Sequence, residues 1–389
     1  MDVCALAEKI MDILAKQSDG RSYKAHKYGI DNAERPSIDY GEDEAVWEKM
    51  AETAKPKTYI NLLEKSRELL KYDENYLTYF LDGSRRVYKV DDIAFSLSKK
   101  RGVIYPVMAG QIGIGCCKRI NKKVKPEFFY RSYDIAVPDL ADADGRPGFF
   151  SALVKKLNEC LELKRLNVKF DKVIPYKTAN VKNKKYEDKG TACIQDYMIE
   201  LEKKAVADLV RKDKLDQENF LIKDGSLEYR PSKEERNNPH KALIFIKNYS
   251  WVLGVSKNFN PEICVDSNGK SNPEFIAKLP LYSRTPVAQY EFEGMKLAVW
   301  YIRLRPREKT RTPFDGIVKV EKMLVSDDEI EYGIDSDLVD SLSANIINER
   351  MPTCYGADLR WANHLYPVFL TEIFVKSKYI GTESFLHLF

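Results

Sequence analysis

The chain has 389 residues, of which 44% are hydrophobic and 31% are charged. This length and composition indicate a globular protein with one large domain or two to three smaller ones. A membrane-spanning chain is excluded, because no apolar run approaches the roughly 18 residues of a bilayer span. The net charge of +4 is small against 63 basic and 59 acidic residues, so the charge balance alone gives no argument for a nucleic-acid ligand.

The cysteines and the N-terminus indicate the compartment. Seven cysteines show no CxxC pair and no metal-ligand spacing. The N-terminus lacks the charged-then-apolar pattern of a secretory signal. We therefore expect a cytoplasmic protein with reduced thiols and no structural zinc site.

The first half of the chain is predicted to change from helices to strands. Residues 1–70 are predicted to be helical, with AVWEKMAETA and YINLLEKSRELLKYD as two of the helices. From Tyr76 onward, β-branched and aromatic residues punctuated by glycine are typical of strands. Three predicted strands cover roughly residues 76–82, 85–95 and 102–119. INKKVKPEFFYRS follows them, and a shorter strand is predicted near residues 131–137.

The second half alternates helices and strands. TACIQDYMIELEKKAVADLVRK is the clearest helix, because its apolar residues fall at helical spacing. Strands are predicted in ENFLIKD, WVLGVSK, MKLAVWYIRLRP and FDGIVKVEKML. A helix capped by Ser336 or Asp337 follows, and then an apolar helical tail that Pro367 must start, kink or interrupt. This order predicts an α/β protein with a mixed sheet flanked by helices and an N-terminal helical extension.

Two apolar stretches run into the same three residues, Asp-Gly-Ser, at Asp82 and at Asp224. A turn explains each occurrence taken alone. An aspartate at the end of a buried strand is costly unless something pairs with it, and a divalent metal can pair with both. The motif therefore predicts either two turns or two metal-binding carboxylates that such turns present.

The long helix offers a third carboxylate. Glu200 and Glu202 are two positions apart and so point to different faces of the helix. Glu202 lies on the side of Met198, which belongs to the apolar stripe, and is the preferred candidate. A solvated helix carboxylate remains the alternative for both.

Several charged residues near these acids are further candidates. Lys257 in GVSK can contact a scissile phosphate, and Glu321 can be a further ligand or orient that lysine. As alternatives, Lys257 is a surface lysine and Glu321 an edge-strand carboxylate without a function. Four basic residues can bind DNA phosphate or remain solvated: Arg85 and Arg86 behind the first Asp-Gly-Ser, and Lys118 and Arg119 in KRINKKVKPEFFYR.

The series of motifs resembles the NurA family of nucleases over roughly residues 75–380. The residues that carry the resemblance are FLDGSRRV, the helix around IELEKKA, FLIKDGSLEY, VLGVSKNF, FDGIVKVEKM and the tail HLYPVFLTEIF. The resemblance implies an RNase H-like core that binds divalent metal, usually manganese, and cuts DNA beside a HerA-type ATP-driven translocase. Asp82, Glu202 and Asp224 would hold two Mn or Mg ions, a donor set that such hard cations prefer.

The C-terminal segment departs from the family pattern. Family members often carry a His or Asp just after Tyr-Pro, whereas here His364 precedes Tyr366 and Pro367. The last acid of an RNase H-like site typically comes from a late helix, so Glu372 is the expected ligand. His364 is interpreted as a packed histidine, with a site role as the alternative.

These observations lead to two main hypotheses. The first is a metal-dependent DNA nuclease of residues 71–389 that forms a homodimer and acts with a HerA-type hexameric ATPase in DNA end processing or antiphage defence. The second is a catalytically inactive scaffold or DNA-binding subunit with the same fold. An RNase H-like enzyme acting on RNA is a third. The region 1–70 is expected to dock the partner or a second copy, so that its deletion would leave the nuclease fold intact.

Overall fold

The computed structural model describes residues 12–13, 16–17, 22–23, 28–29, 49–98, 101–142, 145–179, 185–232, 236–264, 272–310, 312–352 and 361–389. Within these ranges one mixed sheet contains all the strands. The strands are β1 (Ser22–Tyr23), β2 (Tyr28–Gly29), β3 (Lys49–Met50), β4 (Ile60–Asn61), β5 (Leu77–Ser98), β6 (Arg101–Ile120), β7 (Lys123–Pro138), β8 (Lys172–Tyr176), β9 (Phe220–Asp224), β10 (Val252–Ser256), β11 (Ser283–Arg284), β12 (Ala288–Phe292), β13 (Met295–Arg303) and β14 (Ile317–Met323).

Helices lie on both faces of this sheet. Those within the described ranges are α1 (Leu63–Tyr72), α2 (Phe149–Asn158), α3 (Leu161–Arg165), α4 (Tyr186–Arg211), α5 (Pro239–Asn248), α6 (Pro273–Ala277), α7 (Asp327–Tyr332), α8 (Ser336–Asn348), α9 (Tyr366–Lys376) and α10 (Thr382–Leu386). None of these helices is long and apolar enough to cross a lipid bilayer.

The centre of the sheet has the order β7-β6-β5-β9-β10. β5, β6 and β7 form an antiparallel meander, β9 is parallel to β5, and β10 is parallel to β9. α4 follows β8 and leads into β9. This arrangement confirms the predicted mixed sheet flanked by helices, and β14, β13 and β12 extend it by antiparallel pairing beyond β10.

The two faces of the sheet bury different helices, because successive side chains of a strand point to opposite faces. Phe80 and Ile222 belong to a core that includes Leu342 of α8 and Val368 of α9; we call this side the α9 face. Leu81 and Leu221 belong to a core that includes Ile194 and other residues of α4; we call this side the α4 face. The predicted amphipathic helix therefore packs on one side of β5, β6 and β7.

The first Asp-Gly-Ser is not a turn, which corrects the sequence-based prediction. Asp82, Gly83 and Ser84 lie inside the 22-residue strand β5 and pair in register with β6. The first irregularity of this ladder comes later, between Lys89 and Asp91. INKKVKPEFFYRS is likewise mostly strand, since β7 begins at Lys123 after a tight turn with left-handed backbone at Asn121 and Lys122.

The helical prediction for residues 1–70 is wrong for most of the described part. β1 and β2 pair with β5, β3 pairs with β12, and β4 pairs with β11. AVWEKMAETA contains strand β3 where a helix was expected, whereas α1 is the predicted helix of YINLLEKSRELLKYD. Strands β1 to β4 therefore extend the sheet where a helical extension was expected, while the described residues 12–13 and 16–17 are helical.

The remaining helix predictions are largely confirmed. The cap of α8 is Asp335, whose carboxylate accepts from the Leu338 amide, and not Ser336 or Asp337. Pro367 lies in the first turn of α9 and thus starts this helix, where its missing N–H costs no hydrogen bond.

Candidate active site

Asp82 and Asp224 lie side by side on parallel strands. Leu81 of β5 pairs with Lys223 of β9, and each aspartate is the next residue along its strand. Asp82 also pairs with Gly115 of β6, against which Val375 and Phe374 of α9 pack, so its carboxylate is on the α9 face. The second Asp-Gly-Ser is a true turn, because Asp224 ends β9 and Gly225 has a φ of +94°.

The Asp82 carboxylate is buried among like charges. Its residue is only 5% exposed, and its Oδ2 atom has no hydrogen-bond partner in the part of the chain that the structure describes. Burial raises the pKa of Asp82 well above its usual value, and the charges of Asp224 and Glu372 raise it further. A cation placed here would relieve both costs.

Lys257 and His364 lie between the carboxylates of Asp224 and Glu372. Lys257 Nζ lies 2.7 Å from Asp224 Oδ2 and 3.5 Å from His364 Nε2. The same His364 nitrogen is 3.5 Å from Glu372 Oε2, and Lys376 Nζ is 2.7 Å from Glu372 Oε1. Burial alone would raise the pKa of Asp224, but the charge and hydrogen bond of Lys257 hold it below its usual value.

His364 owes its place to the turn before α9. It is 1% exposed, as expected for a packed histidine, yet it also lies in the site. The preceding residue, Asn363, donates from Nδ2 to the carbonyls of Lys257 and Ile317 at 3.0 Å each. This clamp ties the turn to the ends of β10 and β14, and so holds His364 beside Lys257.

Glu202 approaches from the opposite face of the sheet. A Cβ atom at Gly83 would come within 2.2 Å of Glu202 Oε1, so the carboxylate lies directly on the strand beside Asp82. Glu202 is buried, and Lys223 Nζ is 3.4 Å from its Oε2. Glu200, in contrast, is 53% exposed in its side chain and pairs with Lys203. Of the two candidates on α4, only Glu202 therefore reaches the acidic centre.

The carboxylate oxygens of the site suit a hard divalent cation, although lysines form ion pairs with several of these acids. Asp82, Asp224 and Glu372 offer carboxylate oxygens, the donors that magnesium and manganese prefer. Across the described ranges, however, no three Asp, Glu, His or Cys side chains form a ready metal-binding group. Lys257 holds Asp224, and Lys223 holds Glu202. The unpartnered oxygen of Asp82 is thus the feature that fits a metal best.

Glu321 shapes the loop after Asp224. Its Oε2 accepts from Ser226 Oγ at 2.8 Å and from the Leu227 amide at 2.6 Å, and Lys319 Nζ is 2.5 Å from its Oε1. It lies on the α4 face, as does Lys319 two residues before it. The structure therefore places Glu321 in a support of the second Asp-Gly-Ser turn, and does not bring it to Lys257.

The four predicted DNA-binding residues do not form one surface. Arg86 lies over the Tyr379 ring at 5.0 Å on the α9 face, whereas Arg85 donates to Gln195 of α4. Lys118 lies 5.2 Å from the Tyr79 ring centroid. Arg119 pairs with Glu349 at 2.6 Å. Arg86 shares the face of Asp82, and so does Arg119, whose guanidinium lies 5.5 Å from the Phe80 ring centroid but is already paired with Glu349.

Sequence reasoning missed Lys223. This buried lysine precedes Asp224 on β9 and faces Glu202, and the charges of Glu202 and Asp224 keep its pKa raised although burial alone would lower it. The available signal was a charged residue inside the apolar run FLIKD, which is costly without a partner. Lys376 gave a second signal, because it follows Glu372 at the i,i+4 spacing of a helical ion pair.

Comparison with solved structures finds a distant similarity. No family model and no curated protein matches the chain. Among solved structures, the crystal structure of the NurA nuclease from Sulfolobus solfataricus aligns with 80% of this chain and 87% of that chain, with a TM-score of 0.39 and 12% identity. With a TM-score this low, the fold is established by the strand order and the flanking helices of the chain itself.

Proposed function

We propose that the protein is a divalent-metal-dependent nuclease that hydrolyses phosphodiester bonds in DNA. The observation that carries the proposal is the buried, unpartnered oxygen of Asp82 beside the carboxylates of Asp224 and Glu372. The RNase H-like strand order and the resemblance of the motifs to the NurA family support it. DNA, a second copy of the chain and a HerA-type hexameric ATPase are the proposed partners, and the cytoplasm is the proposed compartment.

Each residue of the site has a role that follows from its contacts. Asp82, Asp224 and Glu372 would hold manganese or magnesium, and Glu202 would complete a two-ion site from the α4 face. Such ions activate water and neutralise charge that develops on phosphate oxygens. Lys257 pairs with Asp224 and would contact the scissile phosphate, while His364 would position Lys257 and Glu372.

The ion pair between Lys257 and Asp224 favours a second candidate function. The ammonium group of Lys257, 2.7 Å from the Asp224 carboxylate, supplies the positive charge that a metal ion would otherwise supply. This is expected of a nuclease-like scaffold that does not bind metal. The two candidates differ in whether Mn²⁺ binds at Asp82.

The test combines cleavage with metal binding. Labelled single- and double-stranded DNA, RNA and hybrids are incubated with the protein and Mn²⁺ or Mg²⁺, and melting is followed with and without Mn²⁺. Losing a residue that only supports a metal ligand costs about 10- to 100-fold, so Asp82→Asn is expected to lower DNA cleavage by at least about 100-fold. Asp82→Asn should also remove the stabilisation by Mn²⁺.

Glu200→Gln is the matched control, because this exposed carboxylate on α4 does not reach the site. It should keep both cleavage and the Mn²⁺ response. A wild-type protein that neither cleaves DNA nor is stabilised by Mn²⁺ supports the scaffold. Cleavage that survives Asp82→Asn contradicts the assigned site, and preferential cleavage of RNA or hybrids contradicts the assigned substrate.

A further inference from the structure

A second basic feature lies outside the carboxylate site. A cavity of about 540 Å³ opens at the end of β13, and three cationic side chains line it: Arg305, Lys309 and Arg350. Tyr282 and Asn348 contribute an aromatic ring and an amide to the same wall. We call it the basic cavity.

The positive charges of the basic cavity are not balanced by the described residues. Arg305 donates to the carbonyl of Met351, and Arg350 donates to the carbonyl of Ile347. Neither forms an ion pair with a carboxylate within the described ranges, and Arg305 Nε is buried there without a hydrogen-bond partner. Burial and the charge of Arg350 lower the pKa of Arg305. An anion bound between the two arginines would remove this repulsion.

Both arginines are stacked on aromatic rings. The guanidinium of Arg350 lies 4.9 Å from the Tyr282 ring centroid, and that of Arg305 lies 5.0 Å from the Trp361 centroid. Stacking fixes the plane of a guanidinium and leaves the N–H groups on its edge to donate to phosphate oxygens. Aromatic rings beside such a cation also stack with nucleic-acid bases.

The fold places the basic cavity at the same end of the sheet as Asp224. Arg303 of β13 pairs with Ile317 of β14, and Lys319 of β14 pairs with Ser256, the last residue of β10. The Met351 amide donates to the His364 carbonyl at 3.1 Å, which joins the cavity wall to the turn that carries His364. Three strand steps of about 4.8 Å separate β13 from β9, or about 14 Å in total.

We propose that the basic cavity binds the phosphodiester backbone of the nucleic-acid strand that is cut at Asp82 and Asp224. At about 3.4 Å per nucleotide along one strand, a separation of about 14 Å corresponds to about four nucleotides from the scissile bond. This inference rests on the proposed nuclease function and assigns the path of its substrate. Free phosphate or a mononucleotide shares the same chemistry and is a separate outcome of the test.

The experiment measures binding without cleavage. A fluorescent single-stranded 20-mer is titrated by anisotropy, at several salt concentrations, into Asp82→Asn protein with and without the double substitution Lys309→Gln and Arg350→Gln. Each lost phosphate contact on a single strand lowers the salt slope by about 0.7. The double variant should therefore bind about tenfold more weakly, with a slope smaller by about 1.4.

Lys164→Gln with Arg165→Gln is the matched control, because both residues are exposed cations on α3. It should leave affinity and slope unchanged. If the double variant melts at a lower temperature than the Asp82→Asn protein, Lys309→Gln alone is used, because this residue is exposed. Half of the change in salt slope is then expected.

The outcomes separate this inference from the proposed function. Unchanged affinity and slope in the cavity variants overturn the basic cavity as a strand site, whether or not the wild type cleaves DNA. The predicted loss of binding together with an inactive wild type upholds the strand site and removes the nuclease. Strand binding that inorganic phosphate or a mononucleotide abolishes at equal concentration overturns the assignment to a strand.

Discussion

Gly83 follows Asp82 in the middle of β5, and its missing side chain leaves room for the Glu202 carboxylate. An added methyl group would lie 2.2 Å from Glu202 Oε1, so Gly83→Ala must displace that carboxylate or bend the strand. Overpacking of this kind costs about 1–3 kcal/mol. We expect Gly83→Ala to lower the free energy of unfolding in urea by that amount, and to lower cleavage as Glu202 moves away.

The control for this prediction is Gly102→Ala on β6. A methyl group there would meet its nearest atom, the Phe95 carbonyl oxygen, at an ordinary 3.8 Å, so stability should not fall. Gly83→Ala should cost less in a Glu202→Ala background than in the wild type, because the two side chains no longer collide. A Gly83→Ala protein as stable and active as the wild type would contradict the close approach.

Asp134 on β7 gives a prediction about pH. It is fully buried, its Oδ1 accepts from Ser132 Oγ at 3.0 Å, and burial raises its pKa from 3.8 to about 7. The folded state therefore holds this proton more tightly than the unfolded state. The stability that the proton contributes is present below about pH 4 and is lost as the pH rises to about 7. Each pKa unit corresponds to about 1.4 kcal/mol, so the loss is up to about 4 kcal/mol.

Asp134→Asn removes this titration. Urea unfolding between pH 5 and pH 8 should show a flatter pH dependence than the wild type, and higher stability at pH 8. Asp213→Asn, at an exposed position, should reproduce the wild-type slope. An Asp134→Asn protein with the full wild-type slope would mean that another group causes it.

At the level of elements, the sequence predicts those helices and strands whose hydrophobic pattern is regular along their whole length. α4 and the strands β9, β13 and β14 could be predicted because their apolar residues follow one period from end to end. β5 could not, because the Asp-Gly-Ser that looks like a turn is accommodated within one long strand, where β6 pairs with it on one edge. A glycine in a strand-like sequence marks either a turn or a place where another group comes close to the backbone. At Gly83 the position of Glu202 shows that the second explanation applies.

The candidate site was likewise predictable from the sequence only in part. Asp82 and Asp224 could be predicted because an acid next to a buried strand is costly without a partner. The contacts of His364 and Lys223 could not, since they depend on a turn before α9 and on which strand lies beside β5. β3 was missed for a similar reason: its partner β12 is more than 230 residues away in the chain, and pairing over such a distance overrides local helix propensity.

For the whole molecule, the described residues 49–70 pair and pack with the rest of the fold. Glu52 is completely buried and accepts two hydrogen bonds from the equally buried Arg284, at 3.1 and 2.8 Å. Arg284 also lies 2.6 Å from Asp340, so one cluster joins the N-terminal residues to β11 and α8. We therefore expect the deletion of residues 1–70 to disturb the fold, contrary to the expectation from the sequence.

Glu52→Gln tests this conclusion without removing a strand. Breaking a buried ion pair from one side costs about 3–5 kcal/mol, and because Asp340 stays beside Arg284, the lower end of about 3 kcal/mol applies here. We expect a loss of that size in urea unfolding, whereas Glu64→Gln, which breaks an exposed pair with Arg67, should change stability by less than about 0.5 kcal/mol. Deletion of residues 1–70 should destabilise the chain further, since it also removes β3, β4 and α1. A truncated protein that melts like the full chain would show that the sheet does not depend on its N-terminal strands, and would restore the N-terminal region as a separable docking segment.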